Sequence, residues 1–315
     1  MFSFRSAAWL SVLVALSGIA ILGQAGIGMA KSPAIDFPLL YEAAKLSNQA
    51  YDARSKIMRE MSGKSVRVAT PGQTDVQYFI IFNDSRRLQT ISVRGTATNA
   101  NWTLDENYRG VIDSRTGILM HEGFRDAALA IHADVKPRLK EGYTTYLAGH
   151  SLGGAVAAIL GIYFQKDGVK LGGIHTFGQP KFTNVAGARA HENLPLLRVI
   201  YQNDTVPLLP DDDKQRNQVL AHIGPAFNIF QGPYYAYGTA SETLMFSQDS
   251  FTTWLTQISI PDHEIKWYLQ GLEDKLNGST EVSFKDRNKY IVRHKYGTGT
   301  DTAPVKYQFN FNHHN

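Results

Sequence analysis

Ser151 stands between Gly149 and Gly153 in the stretch Gly149-His150-Ser151-Leu152-Gly153-Gly154. A serine hydroxyl attacks carbonyl carbon only if the backbone lifts it clear of its neighbours and a base can reach it. Small residues two places before and two places after allow the tight, strained turn that does the lifting. Tyr143 to Ala148 reads as the strand entering this turn, and the uncharged run Ala155 to Gln165 reads as the helix leaving it. The serine then sits at a helix N-terminus, whose positive dipole end favours the oxyanion formed on attack. Acyl transfer is the chemistry these residues could do. Glycine is 27 of 315 residues, so the turn motif is weak without a partner acid and base downstream.

Asp204 is the acid in the right place. It follows the strand-like run Leu196 to Tyr201 and precedes Thr205-Val206-Pro207, and an acidic residue just past a core strand is where a triad acid belongs. His263 is the best base. It follows Pro261 in a loop ahead of a helix reaching Leu276, so it can swing over the strand ends. His222, 18 residues after Asp204, is its rival. His150 is adjacent to the serine but poorly placed to turn its ring onto Oγ. His175 falls mid-strand, and His121 and His132 lie on a helix with apolar spacing, all three as structural residues.

The elements that must position these groups alternate strand and helix, as in an open, mostly parallel α/β sheet flanked by helices. Phe37 to Ala53 reads as a helix capped by Asp36, and Thr70 to Gln73 as a turn. Val76 to Phe82 and Leu88 to Val93 read as strands joined by the turn Asn83 to Arg86. The second runs into Arg94-Gly95-Thr96, which belongs at the edge of the sheet where ligands bind. Ala97 to Asn107 is a polar loop carrying Trp102 and Leu104, with Trp102 either a lid contact or a surface tryptophan folded onto the core. Met120 to Lys140 reads as a helix bent near Pro137 and ended by Gly142. Gly173 to Phe177 is a short buried strand ending at Gly178-Gln179-Pro180. Phe227 to Tyr237 is aromatic-rich, either pocket lining or an irregular strand packed on the core.

Net charge is +4, with 43% apolar and 19% charged residues, which fits one globular domain and offers no basic stripe for nucleic acid. The absence of cysteine excludes a disulfide framework and a thiolate metal site. Asp211-Asp212-Asp213 lacks the glycine and terminal glutamate of a hand-type calcium loop, so a solvated turn is expected there. Residues 1–30 read as a signal peptide. Arg5 is the only charged side chain before Lys31, Ala7 to Gly23 is mostly apolar, and Gly28-Met29-Ala30 offers small residues at the cleavage positions. An uncleaved anchor is the alternative, although a 17-residue helix spans only roughly 25 Å. Residues 31–315 then form one domain, and the polar tail from Gly297 is either an edge strand or disordered.

Taken in order, these motifs resemble the class 3 lipases, the fungal-type triacylglycerol lipase family of the α/β-hydrolase fold. Val93-Arg94-Gly95-Thr96 is similar to the family's oxyanion strand, and Asn101-Trp102 with Asp105 to its lid. His121-Glu122-Gly123-Phe124 resembles a helix start, Gly149 to Gly154 the nucleophile elbow, and Thr176 to Pro180 the next strand end. Arg198 with Asp204 to Pro207 and Pro210 resembles the stretch carrying the acid. His222-Ile223-Gly224 resembles a structural segment, which weakens His222 as a base, and Asp262-His263 with Tyr268 resembles the segment carrying the catalytic histidine. The resemblance implies hydrolysis of lipid carboxylic esters by Ser151, Asp204 and His263. It also implies an oxyanion hole from the Leu152 and Thr96 amides with the Thr96 hydroxyl, Trp102 at the lid, a lipid or ester substrate met at a transient interface, and no metal or organic cofactor. The lid segment departs from the pattern, being rich in Asn, Asp and Glu, which is more like the feruloyl-esterase branch. Phospholipase A1 and small-ester or feruloyl-type esterase are the alternatives within enzymes. A non-catalytic binding protein is the alternative outside them, and the three intact triad residues argue against it.

Overall fold

The computed structural model describes residues 33–96, 109–210, 219–243 and 261–292. The leader 1–30, the lid segment with Trp102, the Asp211 to Asp213 run and the tail from Gly297 lie outside the described residues. A nine-stranded sheet forms the centre, in the order β1-β2-β3-β6-β7-β9-β11-β12-β13. Its strands are β1 (Ser65–Ala69), β2 (Tyr78–Asn83), β3 (Leu88–Val93), β6 (Thr144–His150), β7 (Leu171–Phe177), β9 (Leu196–Tyr201), β11 (Ala226–Ile229), β12 (Tyr234–Gly238) and β13 (Thr280–Val282). The first three pair antiparallel, whereas β3, β6, β7, β9 and β11 run parallel. This is the α/β-hydrolase fold. A smaller antiparallel sheet, in the order β10-β8-β5-β4, joins β4 (Gly110–Ile112), β5 (Leu119–His121), β8 (Thr183–Asn184) and β10 (Leu220–Ala221). These strands are two or three residues long, too short to carry a readable periodicity.

Helices flank the strands: α1 (Phe37–Gln49), α2 (Arg54–Glu60), α3 (Glu122–Val135), α4 (Leu152–Lys166), α5 (Val185–Ala190) and α6 (Ile265–Leu276). Helix α4 has no charged residue before Lys166 and is buried nearly all round, as expected of a helix apolar on every face. It packs against α3 and against β6 and β7. Leu147 of β6 and Ile174 of β7 join the core around α4, while Ala148 and Phe177 join a second core with Leu40, Ala44, Tyr268 and Leu272 of α1 and α6. The alternation along these strands is the period of two that puts successive side chains on opposite faces. Both faces of the central sheet are therefore covered.

Several bounds differ from the expectation, each with a local cause. The first helix ends at Gln49, not Ala53. The Gln77 side-chain amide donates to the carbonyls of Ala50 and Asp52, both at 2.9 Å, and a turn follows before α2. Helix α3 stops at Val135 and tightens into a 3-10 turn at Lys136–Arg138, because Pro137 has no N–H to continue the ladder. The aromatic stretch is not a single irregular strand. It forms the antiparallel pair β11 and β12, with the Phe227 ring 5.8 Å from Phe37 and 5.2 Å from Tyr235.

Candidate active site

The parallel strands end at one edge, and that edge gathers the chemistry. Strand β6 passes through His150 to Ser151, whose backbone takes φ 61° and ψ −134° as the N-cap of α4. A non-glycine residue there is strained by about 1–3 kcal/mol. The surroundings hold it in place. The Ser151 N–H donates to the Phe177 carbonyl at 2.8 Å, and the Gly154 N–H donates to the Ser151 carbonyl at 2.9 Å. A methyl on Gly149 would overlap the Gly153 carbonyl, so the turn closes only with glycine there. Strand β9 delivers Asp204 past Gln202, whose N–H reaches across to Ile229 O at 3.0 Å. His263 ends a 3-10 turn, Pro261–His263, immediately before α6.

These elements bring Ser151, His263 and Asp204 together. The His263 Nε2 lies 2.9 Å from Ser151 Oγ, and its Nδ1 lies 2.8 Å from Asp204 Oδ2. All three are buried. The Asp204 carboxylate is held from both sides. Its Oδ1 accepts from the Val206 N–H at 2.9 Å, and its Oδ2 accepts from the Tyr268 hydroxyl. Burial and the adjacent Asp204 charge push the Tyr268 phenol well up, so it stays a donor. Since a carboxylate only accepts, His263 Nδ1 carries the proton and Nε2 accepts from the Ser151 hydroxyl. That arrangement lets the imidazole take the Oγ proton.

Two candidate oxyanion donors border the same point. Leu152 is the first residue of α4, so its N–H has no carbonyl within the helix. Arg94 to Thr96 continue β3, whose Val93 pairs with Gly149. A Cβ added to Gly95 would lie 3.2 Å from Ser151 Cβ and 2.7 Å from the His150 carbonyl, which places the Thr96 segment directly against the serine. Among the described residues no cluster of three or more His, Asp or Glu could hold a metal ion. Trp102 lies outside the described residues.

Three further histidines make no contact with Ser151 Oγ. His150 points its ring away from Oγ, onto Tyr51 and the His263 carbonyl. His222 donates through Nε2 to Pro207 O at 2.6 Å. His175 is buried on β7 beside the Tyr146 ring. Burial lowers the affinity of all three for a proton, taking His175 from 6.5 to about 4. A histidine with a depressed folded pKa stabilises the fold fully above pH 6.5 and loses that contribution as pH falls towards the folded value. For His175 the shift corresponds to about 3 kcal/mol, most of it lost by pH 4.5. Urea midpoints of wild type are thus expected to drop between pH 7 and pH 4.5, and those of His175→Gln to drop by less. Equal drops would rule out His175 as a source of acid sensitivity.

Tyr51 was not legible as a site residue. It lies 99 positions before His150, in a turn with no motif around it, and only the folded chain brings the two together.

Residues 90–214 match the family described as Lipase (class 3). The match spans the oxyanion segment, the elbow and Asp204, and stops before His263. A secreted mono- and diacylglycerol lipase of Fusarium solani is 29% identical over 147 residues, covering 44% of each chain. The lipase of Rhizomucor miehei is 29% identical over 149 residues, 43% of this chain and 41% of the relative. A secreted mono- and diacylglycerol lipase of Penicillium cyclopium is 26% identical over 234 residues, 64% of this chain and 75% of the relative. The chain thus spans less than half the length of the first two of these. In structure, it superimposes on the Rhizomucor miehei triacylglyceride lipase with a TM-score of 0.60 at 21% identity, covering 75% of this chain and 96% of the other. A triacylglycerol lipase described as having a serine protease triad superimposes with a TM-score of 0.60 at 23% identity, covering 72% and 92%. At these identities the likeness is one of fold.

Proposed function

We propose that this chain, whose residues 90–214 match the class 3 lipase family, is a serine hydrolase that cleaves carboxylic esters of lipids through an acyl-enzyme. The observation that carries the proposal is the hydrogen-bonded line Ser151 Oγ, His263 Nε2, His263 Nδ1, Asp204 Oδ2 at the N-terminus of α4. Ser151 attacks the ester carbonyl while His263 takes its proton. The Leu152 and Thr96 amides receive the developing oxyanion, and each such donor typically stabilises the transition state by about 2.7–4 kcal/mol. His263 then passes the proton to the leaving alcohol, and water repeats the sequence to release the acid. Asp204 keeps the imidazole in the required tautomer and stabilises the imidazolium.

The acyl donor in this proposal is a glycerolipid. Mono- and diacylglycerol lipases and a triacylglyceride lipase stand among the similar proteins. The N-terminal leader read in residues 1–30 and the secreted relatives support export of a single domain formed by residues 31–315. Contact with a lipid surface would be transient, with Trp102 at the lid. No helix among the described residues is long and apolar enough to cross a membrane. The polar lid segment favours a second reading, an esterase for soluble short-chain or aryl esters.

Hydrolysis of p-nitrophenyl esters of increasing chain length, below and above their solubility limits, separates the two. A rate jump on crossing into emulsion, with long chains preferred, is the lipase result. Smooth saturation with short chains preferred is the esterase result. Absence of Ser151-dependent turnover on every ester would overturn both.

A further inference from the structure

His150, one residue before the nucleophile, has no place in the proton transfer, yet both of its ring nitrogens are engaged. The His263 backbone carbonyl lies 2.7 Å from Nε2, and the Tyr51 hydroxyl lies 2.7 Å from Nδ1. A carbonyl can only accept, so Nε2 carries the proton. Nδ1 is then a bare lone pair and accepts a hydrogen bond from the Tyr51 hydroxyl. The direction of both bonds is thereby fixed: Tyr51 donates to His150, and His150 donates to the backbone of His263. Burial, reinforced by the neighbouring His263, holds the His150 ring neutral, and burial pushes the Tyr51 phenol up, so neither group loses its role near neutral pH.

The placement of this pair concerns all three parts of the site. The His263 ring is oriented at its edges by Asp204 and Ser151, while its carbonyl accepts from His150, whose ring centroid lies 4.6 Å from that of His263. The Tyr51 hydroxyl also rests on Gly95, where a methyl group would strike the phenol oxygen. One phenol therefore touches the oxyanion segment beside Thr96 and the residue before the nucleophile, and through His150 it reaches the backbone of the base.

We propose that Tyr51 and His150 are a positioning pair that fixes the main chain of His263 and the Gly95-Thr96 segment relative to Ser151. The proposal rests on the ester-hydrolase reading for its kinetic consequence and on the hydrogen bonds alone for its tautomer. Neither residue touches the reacting atoms, so the pair acts on the rate of the chemical step and not on substrate binding. A loop that drifts by about 1 Å at a reacting centre can cost about 100-fold in rate.

The test uses the full chain with Tyr51→Phe, His150→Phe and His150→Gln, and p-nitrophenyl butyrate as substrate. His150→Phe keeps the ring and loses both hydrogen bonds, so kcat is expected to fall by about 100-fold with KM within about threefold. Gln has an N–H that reaches the His263 carbonyl and an oxygen that accepts from Tyr51, so His150→Gln should recover kcat to within about fivefold of wild type. Tyr51→Phe, which loses one buried donor, should fall by about tenfold. A kcat for both Phe variants within twofold of wild type would overturn the proposal, as would a Gln variant no faster than His150→Phe. If His150→Phe does not fold, Tyr51→Phe decides alone. Independently of activity, 1H–15N spectra of histidine-labelled protein should show the His150 Nε2–H tautomer, assigned by its loss in His150→Gln. An Nδ1–H tautomer would overturn the pair even in an active enzyme. Wild type without Ser151-dependent turnover would instead sink the ester reading, leaving the tautomer to decide the pair.

Discussion

Replacing Ser151 with alanine is expected to lower ester turnover by about a million-fold, the size of loss found when one member of a triad that acts as a unit is removed. The hydroxyl is the only atom group removed, and it is the group that lies 2.9 Å from His263 Nε2. Without it no acyl-enzyme forms, and only the oxyanion donors and substrate binding remain to favour direct attack by water. The strained backbone at φ 61° is no worse for alanine than for serine, and the lost hydrogen bond contributes about 1 kcal/mol, so the fold should persist with Tm within a few degrees. Turnover of p-nitrophenyl esters and labelling by a fluorophosphonate probe check this, and both should vanish together. His263→Ala combined with Ser151→Ala should be hardly slower than either alone, because the two residues perform one step. Retained turnover in Ser151→Ala would remove Ser151 from the mechanism.

What the chain makes legible without its fold divides along physical lines. That Ser151, Asp204 and His263 meet at one sheet edge is legible because each sits at a strand end or helix start whose local pattern is strong. An elbow needs glycine at 149 and 153, a triad acid follows a core strand, and a base precedes a helix in a loop after proline. Strands β3 and β9 were read with their observed bounds, being short, apolar and closed by turn residues. The small antiparallel sheet was missed because two-residue ladders such as Leu220–Ala221 are made by pairing partners and leave no periodicity. The end of α1 was misplaced because Gln77, from a distant segment, satisfies the carbonyls of Ala50 and Asp52. The same limit hides Tyr51, whose contacts with His150 and Gly95 reach across 99 residues and to a distant strand end. Local geometry argues against His150 as a base. That geometry gave no hint that its ring would grip the backbone of His263.

Replacing Asp204 with asparagine is expected to lower kcat by about 10,000-fold, through the tautomer of His263 and not through misfolding. The surroundings of the side chain decide which way the new amide faces. The Val206 N–H is a fixed backbone donor aimed at Oδ1, whereas the Tyr268 hydroxyl at Oδ2 can rotate to accept. The asparagine oxygen therefore takes the Val206 side, and its NH2 group takes the position now held by Oδ2, 2.8 Å from His263 Nδ1. An amide N–H there requires Nδ1 to be a bare acceptor, which moves the ring proton to Nε2. Nε2 then donates towards Ser151 Oγ where it should accept, and the general base is lost although every heavy atom stays near its place. The reverse amide orientation would set NH2 against the Val206 N–H, two donors in a buried site, at a cost of about 1–3 kcal/mol. Stability should change little, because the substituted side chain keeps the Val206 bond and Tyr268 keeps a partner. Measuring kcat and Tm on Asp204→Asn, with the His263 tautomer read by 1H–15N spectra, separates the outcomes. A slow enzyme with an Nε2–H imidazole fits this account. A slow enzyme with the Nδ1–H tautomer would mean that Asp204 acts mainly by stabilising the imidazolium charge. An enzyme within tenfold of wild type would mean that His263 needs no orienting carboxylate at all.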